Sequence, residues 1–159
     1  MLYHSTHGLC QIKEVVQQKQ MDKDALYYAL VPKSTTRMSE RFLIPVDHIS
    51  TSGFHSLVSP QQANAVLDFL KGCNGAPAQD GPVWGWASDI LTFCREMPQA
   101  REQRKRQIMQ QSLRGLIGEL AIVLGISLQE VADKVRKNLE FSFKLNPPIL
   151  SALSHAADV

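Results

Sequence analysis

Two tryptophans, Trp84 and Trp86, stand two residues apart in Pro82-Val-Trp-Gly-Trp-Ala, and a dense group of cations, Arg101, Arg104, Lys105 and Arg106, follows them, with Arg95 before it and Arg114 beyond it. Together these residue types can perform one kind of chemistry. An exposed indole at a helix start can wedge against an unstacked base pair from the minor groove, as apolar wedges do in architectural proteins. Clustered cations can hold backbone phosphates and fix register without reading sequence. Each feature also has an ordinary alternative. Tryptophan is mostly buried in folded domains, which would make both rings packing anchors, and a run of charges is usually a solvated helix face.

The remaining chemistry-bearing residues do not assemble a catalytic or metal site. His4 and His7 are close, but no third ligand stands at zinc spacing, and His48, His55 and His155 have no evident partners. Cys10, Cys73 and Cys94 are far apart, odd in number and free of any CxxC pair, which argues against a disulfide framework or a zinc site. No nucleophile elbow, phosphate-binding glycine loop or pair of carboxylates on one helix face appears. The expectation is therefore a binding protein without cofactor or metal, and not an enzyme. Leu124-Gly-Ile-Ser-Leu-Gln-Glu-Val-Ala-Asp-Lys-Val135 has the form of a helix-turn-helix, but Glu130 and Asp133 on its second helix would repel phosphates, so sequence-specific reading is not expected.

The elements that must position these residues fall into two patterns. Up to about residue 58 the signals are for strands: Cys10, Ile12 and Glu14 alternate with Gln11 and Lys13, residues 25–31 form a short apolar run, and Phe42, Ile44 and Val46 recur every second residue. Pro45 restricts its strand to an edge or an end. The polar stretches 17–24 and 32–39 are read as hairpin loops, so the sheet should be antiparallel. Ser59-Pro60 opens a helix whose apolar face is Ala63, Val66, Leu67 and Leu70, with Gly72 as its stop. Residues 73–82 contain two glycines and two prolines without periodicity and read as a linker. Beyond it the spacing predicts helices over 86–97 and 99–124, a third opened by the Ser127 to Glu130 capping box with Leu128, Val131, Val135 and Leu139 on one face, and a short last one after Pro147-Pro148. The expected division is a β-rich domain with a closing helix over 1–72, a linker over 73–82 and a helical domain over 83–159.

Charge adds little. The net charge is +2, and the seven basic and six acidic residues up to Gly72, with ten and nine after it, leave neither half strongly basic, so any contact with nucleic acid must be local. The opening has no basic segment followed by an apolar run, and no apolar stretch approaches the ~20 residues of a membrane span, so a cytoplasmic monomer is expected.

The order of motifs resembles the CarD/CdnL family of bacterial transcription regulators. Leu2-Tyr-His-Ser-Thr-His-Gly8, Tyr27-Tyr28, Ile44-Pro-Val46 and Gly53-Phe-His-Ser-Leu57 look like the family's opening, its YY-containing strand, its VP element and its glycine-led segment. The run Gln107-Ile-Met-Gln-Gln-Ser-Leu-Arg-Gly-Leu-Ile-Gly-Glu-Leu-Ala-Ile-Val-Leu-Gly125 is similar to its late helix, and Ile90, Cys94 and Met97 follow Trp86 as in its tryptophan helix. The resemblance implies an α+β protein: a small antiparallel Tudor/SH3-like β-barrel docking on the RNA polymerase β subunit, then a helical domain meeting promoter DNA at the upstream edge of the transcription bubble. It implies stabilisation of the open promoter complex. The family's polymerase-facing arginines fall on Gln18 and Leu43, with Lys19 and Arg41 beside them, so Lys19, Arg41 and Leu43 are the candidate polymerase contacts. A protein-only adaptor whose helices carry no DNA is the competing expectation.

Overall fold

In the computed structural model, residues 1–4, 7–20, 23–33, 41–72, 81–96 and 103–157 are described. The chain divides into two compact units, Met1–Leu57 and Val58–Val159.

The first unit is an antiparallel sheet of β1 (Leu2–His4), β2 (Gly8–Gln20), β3 (Lys23–Pro32), β4 (Phe42–Pro45) and β5 (His55–Ser56), in the spatial order β4-β3-β2-β1-β5. A 3₁₀ turn, Val46–Thr51, follows β4. β4 forms one edge, where Pro45 costs no ladder hydrogen bond. The β2–β3 hairpin is longer than the polarity pattern predicts. Gln17, Gln18 and Lys19, expected in a loop, pair with Leu26, Ala25 and Asp24. The ladder is made by backbone groups, and both faces of this stretch are exposed, so polar side chains do not oppose it. A register shift between Ile12 and Glu14 turns the hairpin as it leaves the rest of the sheet.

The core of this unit is small and lies at the near end of the hairpin, where Cys10, Leu30 and Phe54 are buried with Leu2, Phe42, Ile44 and Ile49 packed against them. Gly53 is required there. Its φ is +89°, and a Cβ would come within 2.7 Å of His4 Nε2. Beyond the core the apolar side chains continue uncovered, with Val15 54% and Leu26 53% exposed.

The second unit packs α1 (Pro60–Phe69), α2 (Pro82–Glu96), α3 (Gln103–Leu124), α4 (Leu128–Leu139) and α5 (Pro147–Ala157) around one core. Ser59 and Gln62 close a reciprocal capping box at the start of α1. Ala63, Val66, Leu67 and Leu70 are buried as the periodicity predicts, but in the core shared with α2 to α5. The helix expected to close the first domain thus belongs by packing to the helical unit, and the division falls after Leu57 instead of at 72. Two polar ties fix it there. Asn138 Nδ2 donates to Leu67 O at 2.7 Å, and the buried carboxylate of Glu119 accepts from Val58 N at 3.3 Å.

α2 begins at Pro82, four residues before the predicted start and inside the expected linker, because proline at the first helical position has no orphan amide to satisfy. Residues 73–80 lie outside the described residues. Along α3, Met109, Leu113, Leu116, Ile117 and Leu120 are buried, while Ile108, predicted on the same stripe, is exposed. Gly125, at φ +65°, ends α3, and α4 leaves it at 115°. No single helix among the described residues is long and apolar enough to cross a membrane.

Candidate nucleic-acid interface

Because α2 starts at Pro82, both tryptophans lie within it, and two positions on a helix differ by about 200°. The rings therefore face opposite ways. Trp84 is 2% exposed and meets Phe69 edge-on at 5.5 Å between ring centroids. Its Nε1 is buried without a hydrogen-bond partner among the described residues. This ring is a core anchor, and the expected role of Trp84 at DNA is corrected accordingly: the indole would have to leave the core to reach a base pair.

Trp86 is half-buried and rests on α3 at Gly115. A Cβ at Gly115 would stand 3.0 Å from Trp86 Cε2 and Cζ2, so the glycine gives the ring its seat. Sequence reasoning does not single out Gly115. The available signal was a glycine inside a helix, which costs about 1 kcal/mol relative to alanine and therefore implies a packing reason. Nearby, Ser112 Oγ donates to Asp89 Oδ2 at 3.1 Å, a second tie between α3 and α2.

The cations gather where α2 ends and α3 begins. Arg95 is exposed in the last turn of α2, and Arg104 and Lys105 are exposed at the start of α3. Arg101 lies outside the described residues. Lys105 Nζ pairs with Glu96 Oε2 at 3.0 Å, a surface ion pair worth at most about 1 kcal/mol and easily given up to a phosphate. Arg106 is partly covered. Three successive helix positions point about 100° apart, so Arg104, Lys105 and Arg106 fan around α3 and do not make one flat patch.

The candidate polymerase contacts lie in the sheet unit. Leu43 is exposed on edge strand β4, and Arg41 just before it pairs with Glu14 at 3.0 Å. The register places Leu43, Ala29 and Glu14 side by side on one face. Counted along β2 from Glu14, Gln18 shares that face and Lys19 takes the other. Lys19 is paired with Asp24, and Phe42 with Leu30; from 24 to 30 is six residues, or about 20 Å along a strand. Lys19 and Arg41 thus do not form a single surface. Among the described residues no strand pairs the outer edge of β2 beyond Cys10.

No family model and no curated protein matches this chain.

The histidines at the start of the chain are structural neighbours. His4 Nδ1 accepts from His7 N at 3.3 Å, His4 lies 4.8 Å from the Phe54 ring, and His7 lies 4.4 Å from Phe42. Among the described residues no group of three or more His, Cys, Asp or Glu could hold a metal ion. Burial, reinforced by the neighbouring His7 and His55, lowers the His4 pKa below the ordinary value, against a smaller raising effect of a backbone hydrogen bond at Ser52. The unfolded chain therefore takes up this proton first, so stability present above the ordinary histidine range is lost as pH falls through it. Lowering pH from about 8 to about 5 should cost the sheet unit more in wild type than in His4→Gln, read from denaturant midpoints. An equal loss in both would remove His4 as the cause. The thiols are quiet. Burial pushes Cys94 up to about 11 and raises Cys10, which keeps both protonated near neutrality.

Proposed function

We propose that this protein is a bacterial transcription regulator of the CarD/CdnL type. Its sheet unit, in this reading a Tudor/SH3-like barrel, binds the RNA polymerase β subunit. Its helical unit meets promoter DNA at the upstream edge of the bubble and stabilises the open complex through a minor-groove contact by Trp86, with Arg95, Arg104, Lys105 and Arg106 on the phosphates. The observation that carries the proposal is Trp86 itself, a half-buried indole held on α3 at Gly115, in the same helical unit as the cations of the α2–α3 junction and apart from the sheet. Its position fits a ring that is held in place by the protein and still has an edge to offer.

Polymerase docking is assigned to the face of Arg41 and Leu43 and to the edge of β2 that no strand among the described residues pairs, where a partner strand could add to the sheet. Arg41→Glu combined with Leu43→Glu should abolish capture of polymerase in a pull-down, while Lys19→Glu, on the opposite face, should have a smaller effect. Unchanged capture by the double variant would mean that this face is not the docking surface. The adaptor reading draws on the ion pair of Lys105 with Glu96, which lowers the local positive charge.

A further inference from the structure

We propose a phosphate-binding site in the cleft between α3 and α5, apart from the tryptophan and the cations of the α2–α3 junction. The cleft encloses about 380 Å³, and its described lining residues are Gln110, Arg114, Ala152, His155 and Ala156. Gln110 and Arg114 are one turn apart on α3, so their side chains emerge on the same stripe. His155 comes from α5 on the other wall. Ala152 and Ala156, also one turn apart, are buried and leave the space between the helices open where larger side chains would fill it.

Among the described residues the lining is rich in donors and holds no carboxylate. Arg114 is exposed, and among the described residues no acid pairs with it. Its guanidinium offers up to five N–H donors in a fixed plane, the Gln110 amide offers two more, and the His155 ring at least one. A ligand matching three donor groups from two walls needs several acceptor oxygens and a negative charge, which describes a phosphate better than a neutral ligand or a cation. Arginine is the residue suited to bind it with two parallel bonds. Two sources present this chemistry: a backbone phosphate of DNA and a free phosphate or phosphate monoester. The site goes beyond the proposed function, since it stands whichever source fills it.

The test is titration of the full chain with inorganic phosphate, followed by NMR of the backbone and side-chain N–H signals, with wild type, Arg114→Ala and His155→Gln compared. Saturable shifts at Gln110, Arg114 and His155 are expected. Loss of a charge-assisted pair worth about 1.5 to 3 kcal/mol should weaken binding by roughly ten- to a hundredfold in Arg114→Ala. Both side chains are exposed, and matching unfolding curves establish that the variants are folded. A short DNA duplex titrated against the same proteins separates the sources. If Arg114→Ala also weakens the duplex and flattens its salt slope by about one, the phosphate is that of DNA. If phosphate binding is lost and duplex affinity is kept, the ligand is a free phosphate compound. Phosphate that moves none of these signals, or moves them without saturation and equally in Arg114→Ala, overturns the site. The DNA reading of the junction fails separately, through the Arg104, Lys105 and Arg106 variants.

Discussion

Trp84→Ala is expected to cost about 3 to 5 kcal/mol of stability and to make the helical unit melt early. The ring is 2% exposed, shares a core with α1 and α3 and lies edge-on to Phe69, so truncation leaves a cavity that the surrounding helices close only in part. Trp84→Phe should behave differently. It keeps most of the ring and deletes the buried Nε1, which has no hydrogen-bond partner among the described residues, a desolvation cost of about 1 to 3 kcal/mol. The phenylalanine variant should therefore lie far closer to wild type than the alanine variant in thermal unfolding. Equal losses for both would mean that the indole's shape, not its volume, fills the site.

The second large effect is functional and belongs to Trp86. Only part of its indole is packed, against Gly115, so Trp86→Ala should cost about 1 to 2 kcal/mol and leave a folded protein that still captures polymerase. If the indole wedges at the bubble edge, its gain is realised only where the duplex is already opened, because entering an intact stack costs a few kcal/mol per step. Losing even ~1.4 kcal/mol of that gain shortens the open-complex lifetime tenfold. Gly115→Leu provides a second approach: it keeps the indole but removes its seat, and should shorten the lifetime too. A folded Trp86→Ala protein that supports a normal open-complex lifetime would rule out the wedge.

Helical faces are legible in the sequence because a 3.6-residue period repeated over several turns leaves few alternatives: Val66 and Leu67 in α1 and Val131, Val135 and Leu139 in α4 are buried as spaced. The β3 strand could be read from its apolar run, and the edge position of β4 from Pro45. Strands β1 and β5 could not, since three and two residues are too few to show any alternation. The far half of β2 carries glutamines and a lysine at exposed positions, so its polarity imitates a loop. An amphipathic pattern shows that α1 buries a face but not against which unit, and that is how the domain division moved.

The site was legible as a region and not as a set of partners. The two-residue spacing of Trp84 and Trp86 decides that one ring is fully buried and the other only partly, but only once the helix is known to start at Pro82. In the same way, the consecutive positions of Arg104, Lys105 and Arg106 promise a dense charge, whereas the helix spreads them around its axis. The seat for Trp86 on Gly115 depends on the approach of α3 to α2, which no local pattern records.

Salt-dependent binding of the full chain to a DNA duplex tests the central proposal most directly. With the α2–α3 junction on the phosphates, log affinity should fall linearly with log salt. Replacing Arg104, Lys105 and Arg106 together by alanine should flatten the slope by up to about three, at roughly 0.9 for each phosphate no longer neutralised, equally for unrelated sequences. A wild-type chain that does not bind DNA, or binds it without dependence on salt, would contradict the proposal and favour a protein-only adaptor.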